Sequence, residues 1–288
     1  MTASGEGPAT GSAKRRPGAR FGPDLMPRVA AAVAMGSVAL ATAWVGGFVF
    51  AAFWWLAAIV VLWEWQRLVD GERLIERVAA GGVALALAAL SALHNSIFGV
   101  VAALTVGAVA VGWIARRRDS GWAAAGVLYA GALVASVGLL RVSPTFGMAA
   151  ILWLFAVVWG TDMAAYFAGR LIGGPRLWRS VSPGKTWAGA IVGAFTGAAF
   201  GLMLAAWTNR LAALFWLGLA TAIMSELGDL FESALKRRFG VKDSSGLIPG
   251  HGGLMDRLDA FTSASFFAAA VGMLHPKGDY IASGLFQW

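Results

Sequence analysis

Asp229, Ser233 and Lys236 recur at i, i+4 and i+7, which places a carboxylate, a hydroxyl and an ammonium on one face of a helix. Glu226 and Glu232 flank them, and Lys236-Arg237-Arg238 and Lys242-Asp243 follow. The next segment, Pro249-Gly250-His251-Gly252-Gly253, is too rich in Gly and Pro to stay helical, so the backbone turns there. Beyond the turn Asp256 and Asp259 stand three apart with Arg257 between them, a second set of carboxylates on one helix face. Asp229 on the first helix and Asp256 and Asp259 on the second would converge on a hard divalent cation, which prefers oxygen ligands. Mg²⁺ in particular binds through one or two carboxylates and completes its shell with substrate phosphates. The neighbouring Lys and Arg would clamp the remaining phosphate charge, and the glycines let backbone N–H groups approach a phosphate closely. The constellation reads as a metal-assisted site for something polyanionic. A topology signal with a solvated charged face is the plainer alternative, but topology needs Lys and Arg and has no use for paired Asp.

A second cluster precedes the first. Asp162 lies inside an apolar stretch, about 12 Å below the helix end marked by Arg170 at about 1.5 Å per residue. An acid there costs about 2.5 to 3.5 kcal/mol on insertion scales, and such residues usually face a functional interior. Pairing with a nearby Arg to hold helices together is the structural alternative. Tyr166 and Arg170 share the face of Asp162. The following loop, from Gly173-Gly174-Pro175 to Ser182-Pro183-Gly184-Lys185-Thr186, is short, basic and turn-forming. It fails the nucleotide-binding spacing G-x-x-x-x-G-K-[ST], because position 179 is Arg where that pattern needs Gly.

Taken together these residues resemble the phosphatidate cytidylyltransferases, the CDP-diacylglycerol synthases. The match runs through Ser233, Lys236-Arg237, Lys242-Asp243, His251-Gly252-Gly253, Asp256-Arg257 and Asp259. An earlier block matches in Asp162, Ala165, Tyr166, Gly169 and Arg170, then Ser182, Pro183, Lys185, Thr186 and Gly189. Ala188 departs from it where many members carry a polar or acidic residue. The resemblance covers roughly residues 150 to 275. It implies transfer of CMP from CTP to phosphatidate, with CDP-diacylglycerol and pyrophosphate as products. It also implies Asp229, Asp256 and Asp259 as metal ligands for Mg²⁺, with two cation sites that need not hold the same ion. Ser233, Lys236, Lys242, His251 and Arg257 would act on the phosphates, and Asp243 would join the site as a ligand or as a partner of Lys242. Asp162, Tyr166, Ser182, Lys185, Thr186, Arg237, Gly252 and Gly253 would line the rest of the site. With one His in reach of these acids, His251 reads as a hydrogen-bond donor to phosphate in preference to a zinc ligand. A CTP-dependent lipid kinase and a secondary transporter are the competing readings. The kinase would release CDP instead of pyrophosphate, and the transporter would place its acids near the midplane and show internal repeats.

The elements that must hold this site are membrane helices. A chain of 288 residues that is 58% hydrophobic and 13% charged is too apolar for an ordinary soluble domain. With no Cys, any metal must be held by oxygen or by the three His. Residues 1–27 read as a disordered basic cytoplasmic tail carrying Lys14, Arg15, Arg16 and Arg20. No signal peptide is expected, because the apolar run that begins at Val29 continues far past signal-peptide length. Val29 to Trp63 and Val78 to Ala115 are uncharged and each long enough for two crossings, with turns near Gly46-Gly47 and His94-Asn95-Ser96. Further spans read as Trp122 to Leu140, Gly147 to Phe167, Thr186 to Trp207, Leu211 to Leu230 and Ala260 to Leu274, which makes nine. The fold class is therefore all-α and polytopic, with membrane helices over 28–141 and a catalytic membrane region over 142–288.

Charge orients the spans. With a cytoplasmic N-terminus, 20 of the 23 Lys and Arg fall on cytoplasmic segments or helix ends, leaving Arg141, Arg210 and Lys277 outside. This puts the Ser225–Asp259 stretch on the cytoplasmic face of the cell membrane, His94 and His275 on the outer side, and Glu64 at a span end as an interfacial residue. The +8 net charge is spread over membrane loops without a soluble recognition module, so membrane lipids are the expected partners and nucleic acid is not. Gly193, Gly197 and Gly201, four apart, would let helices pack closely, either within the chain or across a homodimer.

Overall fold

The computed structural model describes residues 25–69, 72–115, 119–204, 211–248 and 252–287. Helices α1 (Leu25–Val45) and α2 (Gly47–Val69) turn at Gly46 and Gly47, whose φ angles of 69° and 53° suit residues without a Cβ. The expected tail lies outside the described residues up to position 24, and its last three residues already belong to α1. Pro27 is tolerated there because an N–H in the first helical turn has no intrahelical acceptor to lose. Helices α3 (Leu74–Leu93) and α4 (Ile97–Ile114) are joined by the expected His94-Asn95-Ser96 turn, where the Ser96 hydroxyl accepts the Gly99 N–H and caps α4.

Then come α5 (Ser120–Arg141) and α6 (Gly147–Leu171). The stretch read as a basic turn forms a small antiparallel hairpin, β1 (Arg176–Trp178) with β2 (Ser182–Thr186). Its closure is helped by Arg176, which donates to the Gly184 carbonyl. The chain continues through α7 (Trp187–Gly201), a 3-10 turn over Leu202–Leu204, α8 (Leu211–Arg238), α9 (Met255–Leu274) and the short α10 (Ile281–Phe286).

Among the described residues each of the nine predicted spans holds one helix, α1 to α9, and six of these, α2 to α6 and α8, are long and apolar enough to cross a bilayer. This is an all-α, polytopic membrane protein. Large apolar side chains such as Phe98, Trp113 and Leu171 face outward, as a lipid solvent requires. The interior is one continuous core that reaches from Ala39 to Phe286, with Trp54 stacked on Phe261 and Phe155 packed against both. The N-terminal helices and the motif-bearing helices thus share their packing.

The glycine stripe on α7 is used within the chain. A Cβ at Gly193 would meet Glu226 and Ala165, one at Gly197 would meet Ala222 and Thr161, and one at Gly201 would meet the backbone of Gly218. Helix α7 is therefore pressed between α6 and α8. Gly228 plays the same part between α8 and α9, where a Cβ would overlap the Ser263 side chain and the Asp259 carbonyl.

Candidate active site

Two helices run past the ends of their predicted spans. α8 continues to Arg238 and α9 starts at Met255, so their charged residues ride on helical extensions whose spacing is rigid. Where these extensions meet α6 they enclose a polar cavity of about 270 Å³, lined by Asp162, Asp229, Glu232, Lys236, Asp243, Asp256, Arg257 and Asp259. The close approach at Gly228 brings the Asp229 and Asp259 turns together.

One wall of the cavity is closed by Lys236. Its ammonium lies 2.7 Å from Glu232 Oε2 and 2.8 Å from Asp256 Oδ1, and only 11% of its side chain is exposed. Asp256 also accepts the backbone N–H groups of Ser244 at 3.1 Å and Gly253 at 2.8 Å, which folds the 239–248 loop and the start of α9 onto one carboxylate. Buried charges persist only when paired and hydrogen-bonded in this way. Gly252, at φ 80°, lets the chain turn back toward Asp256.

The Asp229 side of the cavity is looser. Lys185, at the end of β2, reaches across to α8 and lies 2.8 Å from Asp229 Oδ2 and 3.4 Å from the Glu226 carbonyl, with a quarter of its side chain exposed. The Ser233 hydroxyl donates to Asp229 Oδ1 over a long 3.4 Å. Asp259 is buried and lines the cavity, its Oδ1 accepting the Ala260 N–H at 2.8 Å. Among the described residues no three acids stand together as a ready-made metal cage. The cavity does offer hard oxygen donors beside cations, a set that suits an ion keeping much of its shell for water and phosphate.

Residues 26–275 match the cytidylyltransferase family. The chain belongs to that family. It is 36% identical over 270 residues to a Brucella abortus protein named phosphatidate cytidylyltransferase, an alignment covering 92% of this chain and 99% of the relative. A protein of the same name from Brucella suis is 37% identical over 268 residues, covering 91% and 98%. One from Haemophilus influenzae is 43% identical over 128 residues, covering 42% and 44%.

The cytidylyltransferase motifs do not all reach the cavity. Asp162, Asp229, Lys236, Asp243, Asp256, Arg257 and Asp259 line it, joined by Glu232, which the sequence showed only as a neighbour. Lys185 and Ser233 touch its carboxylates. Tyr166 is exposed and its hydroxyl accepts from Arg170 at 3.0 Å, one turn farther along α6. Thr186 is buried, and its hydroxyl accepts the Gly189 N–H to cap α7, so its local effect is to hold Lys185 in place. Ser182 pairs with Trp178 in the hairpin, Arg237 donates to the Val241 carbonyl, and Lys242 is exposed on the loop. His251 lies outside the described residues.

Glu64 corrects an expectation. Read as interfacial, it is fully buried, and its carboxylate accepts hydrogen bonds from Ser245 Oγ, the Leu254 N–H and the Met255 N–H. The available signal was an acid between two tryptophans at a span end, which an interfacial belt explains equally well. Only the fold brings α9 to it.

Proposed function

We propose that this membrane protein is a phosphatidate cytidylyltransferase, making CDP-diacylglycerol and pyrophosphate from CTP and phosphatidate at the cytoplasmic face of the cell membrane. The observation that carries the reading is the convergence of the family's acids and bases, from α6, β2, α8 and α9, on one polar cavity at a helix end. A lipid-anchored substrate and a soluble nucleotide meet most readily at such a place. The basic residues that satisfy the positive-inside rule support the cytoplasmic side.

In this reaction a phosphate oxygen of phosphatidate attacks the α-phosphorus of CTP, and the bond from that phosphorus to the pyrophosphate oxygen breaks. Both reactants are anions, so the chief obstacle is charge repulsion, which fixed cations offset. Lys185 is placed to exchange the half-exposed Asp229 for a phosphate, and Arg257 lines the cavity for the same purpose. Lys236 holds Asp256 in place and adds positive charge at the cavity wall. Asp229, Asp259 and Asp256 are the residues that would hold Mg²⁺, with Asp256 kept in place by Lys236 and two backbone N–H groups. When bound, that ion would neutralise the reacting phosphates and the leaving pyrophosphate. Asp162 and Asp243 complete the polar lining.

The test is pyrophosphate release by detergent-purified protein given CTP, with and without phosphatidate and Mg²⁺, beside the Asp259→Asn variant. Release is expected only with all three components, and it is expected to collapse in the variant while the protein stays folded, since Asn can still accept the Ala260 N–H. Absence of release where an authentic synthase works would overturn the reading, and formation of CDP would replace it with a lipid kinase.

A further inference from the structure

Glu64 lies in the last part of α2, far in sequence from every motif residue. It is fully buried, and its two oxygens accept three hydrogen bonds. Oε1 accepts from Ser245 Oγ at 2.6 Å and from the Leu254 N–H at 2.9 Å, and Oε2 accepts from the Met255 N–H at 2.6 Å. Leu254 and Met255 open α9, the helix on which Asp256 and Asp259 follow directly. The first N–H groups of a helix have no intrahelical acceptor and carry partial positive charge, so a carboxylate placed on them both satisfies them and determines where the helix starts. Gly253 is pressed against the same group, since a Cβ there would overlap Glu64 Oε1 and Ser244 Oγ. One buried carboxylate thus ties both ends of the 245–255 connection to α2.

Gln66 provides a contrast on the same helix. It is equally buried, but its Nε2 donates to the Ala123 carbonyl at 2.8 Å and so ties α2 to the start of α5.

We infer that Glu64 is a positioning residue for the transfer reaction. It sets the start of α9, and through it the place where Asp256 meets Lys236 and where Asp259 faces the cavity. The inference rests on the transferase reading above.

The test compares Glu64→Gln, Ser245→Ala and Gln66→Met in the full-length protein in detergent. Glu64→Gln turns one acceptor oxygen into an NH₂ group facing a donor. The expected result is faster deuterium uptake across residues 252–258, kcat lower by about 10- to 100-fold, and a higher Mg²⁺ concentration for half-maximal rate. Ser245→Ala shifts the same readouts in the same direction by less. Gln66→Met lowers the thermal midpoint and leaves deuterium uptake at 252–258 and the Mg²⁺ requirement at wild-type values. If Glu64→Gln lowers the thermal midpoint but moves neither of those two, Glu64 is only a structural cap and the inference falls. If Glu64→Gln does not fold, Ser245→Ala decides on the same two readouts. Absence of turnover in the wild-type protein would sink the transferase reading, while the deuterium uptake would still decide whether Glu64 holds the start of α9.

Discussion

The two lysines that pair with the cavity's carboxylates stand in contrasting company. Lys236 is 11% exposed and shared by Glu232 and Asp256, whose side chains are 1% and 5% exposed. Lys185 is 25% exposed and faces one carboxylate, Asp229, that is 35% exposed. A buried ion network is costly to break because each orphaned charge keeps its desolvation penalty, whereas a half-solvated pair can exchange partners at little cost. The contrast assigns rigidity to the Lys236 wall and exchange to the Lys185 wall, a division that lets a site hold its shape while taking up an anionic substrate.

The contrast is broken most severely by Lys236→Met. It leaves Glu232 and Asp256 buried without their cation, and a loss of about 3 to 5 kcal/mol is expected, read as a large fall in the thermal midpoint in detergent. If the midpoint barely moves, the Lys236 wall is not rigid. The matching change on the other side, Lys185→Met, should alter stability by no more than about 1 kcal/mol. Pyrophosphate release should nevertheless fall by about 10²- to 10³-fold, the usual loss when one stabilising donor is removed from a reacting charge. Equal effects of the two substitutions on stability would erase the distinction.

Removal of divalent cations sharpens the comparison from the side of the acids. Chelation is expected to abolish turnover and Mg²⁺ to restore it. The thermal midpoint should change only modestly on chelation, because Asp256 is held by Lys236 and two backbone N–H groups in any case. Ser233→Ala is the mildest test. Its hydroxyl meets Asp229 at 3.4 Å, longer than a strong hydrogen bond, so turnover should fall by less than about tenfold. A larger loss would mean that Ser233 contacts substrate and not merely Asp229.

Much of the fold was legible because span length and hydrophobicity are local properties. The uncharged runs around Gly46-Gly47 and His94-Asn95-Ser96 divide where the helices do. Helix ends were less legible: α8 and α9 outrun their apolar stretches, since helical hydrogen bonding continues through charged residues that gain partners outside the lipid. The hairpin at Arg176–Thr186 looks like a turn in the sequence because two short strands leave no periodic signature. Within the site, Asp162, Asp229, Asp256 and Asp259 were picked out by acids at helical spacing or inside an apolar run, and all four line the cavity. Thr186 and Arg237 belong to the same motif blocks yet bond to backbone, because adjacency in a motif says nothing about which way a side chain points.

The sequence by itself determined that this chain is a bundle of membrane helices with acids and bases gathered at helix ends, and it identified the family those residues resemble. Run length, composition and i to i+4 spacing are sufficient for that, since each depends on neighbours along the chain. The tertiary structure alone decided which acid pairs with which base, that Lys236 is enclosed and Lys185 is not, and that the α7 glycines serve packing within the chain. It alone carried Glu64 to the start of α9. Ion pairs and buried hydrogen bonds depend on distance and on exclusion of water, and both are properties of the packed bundle.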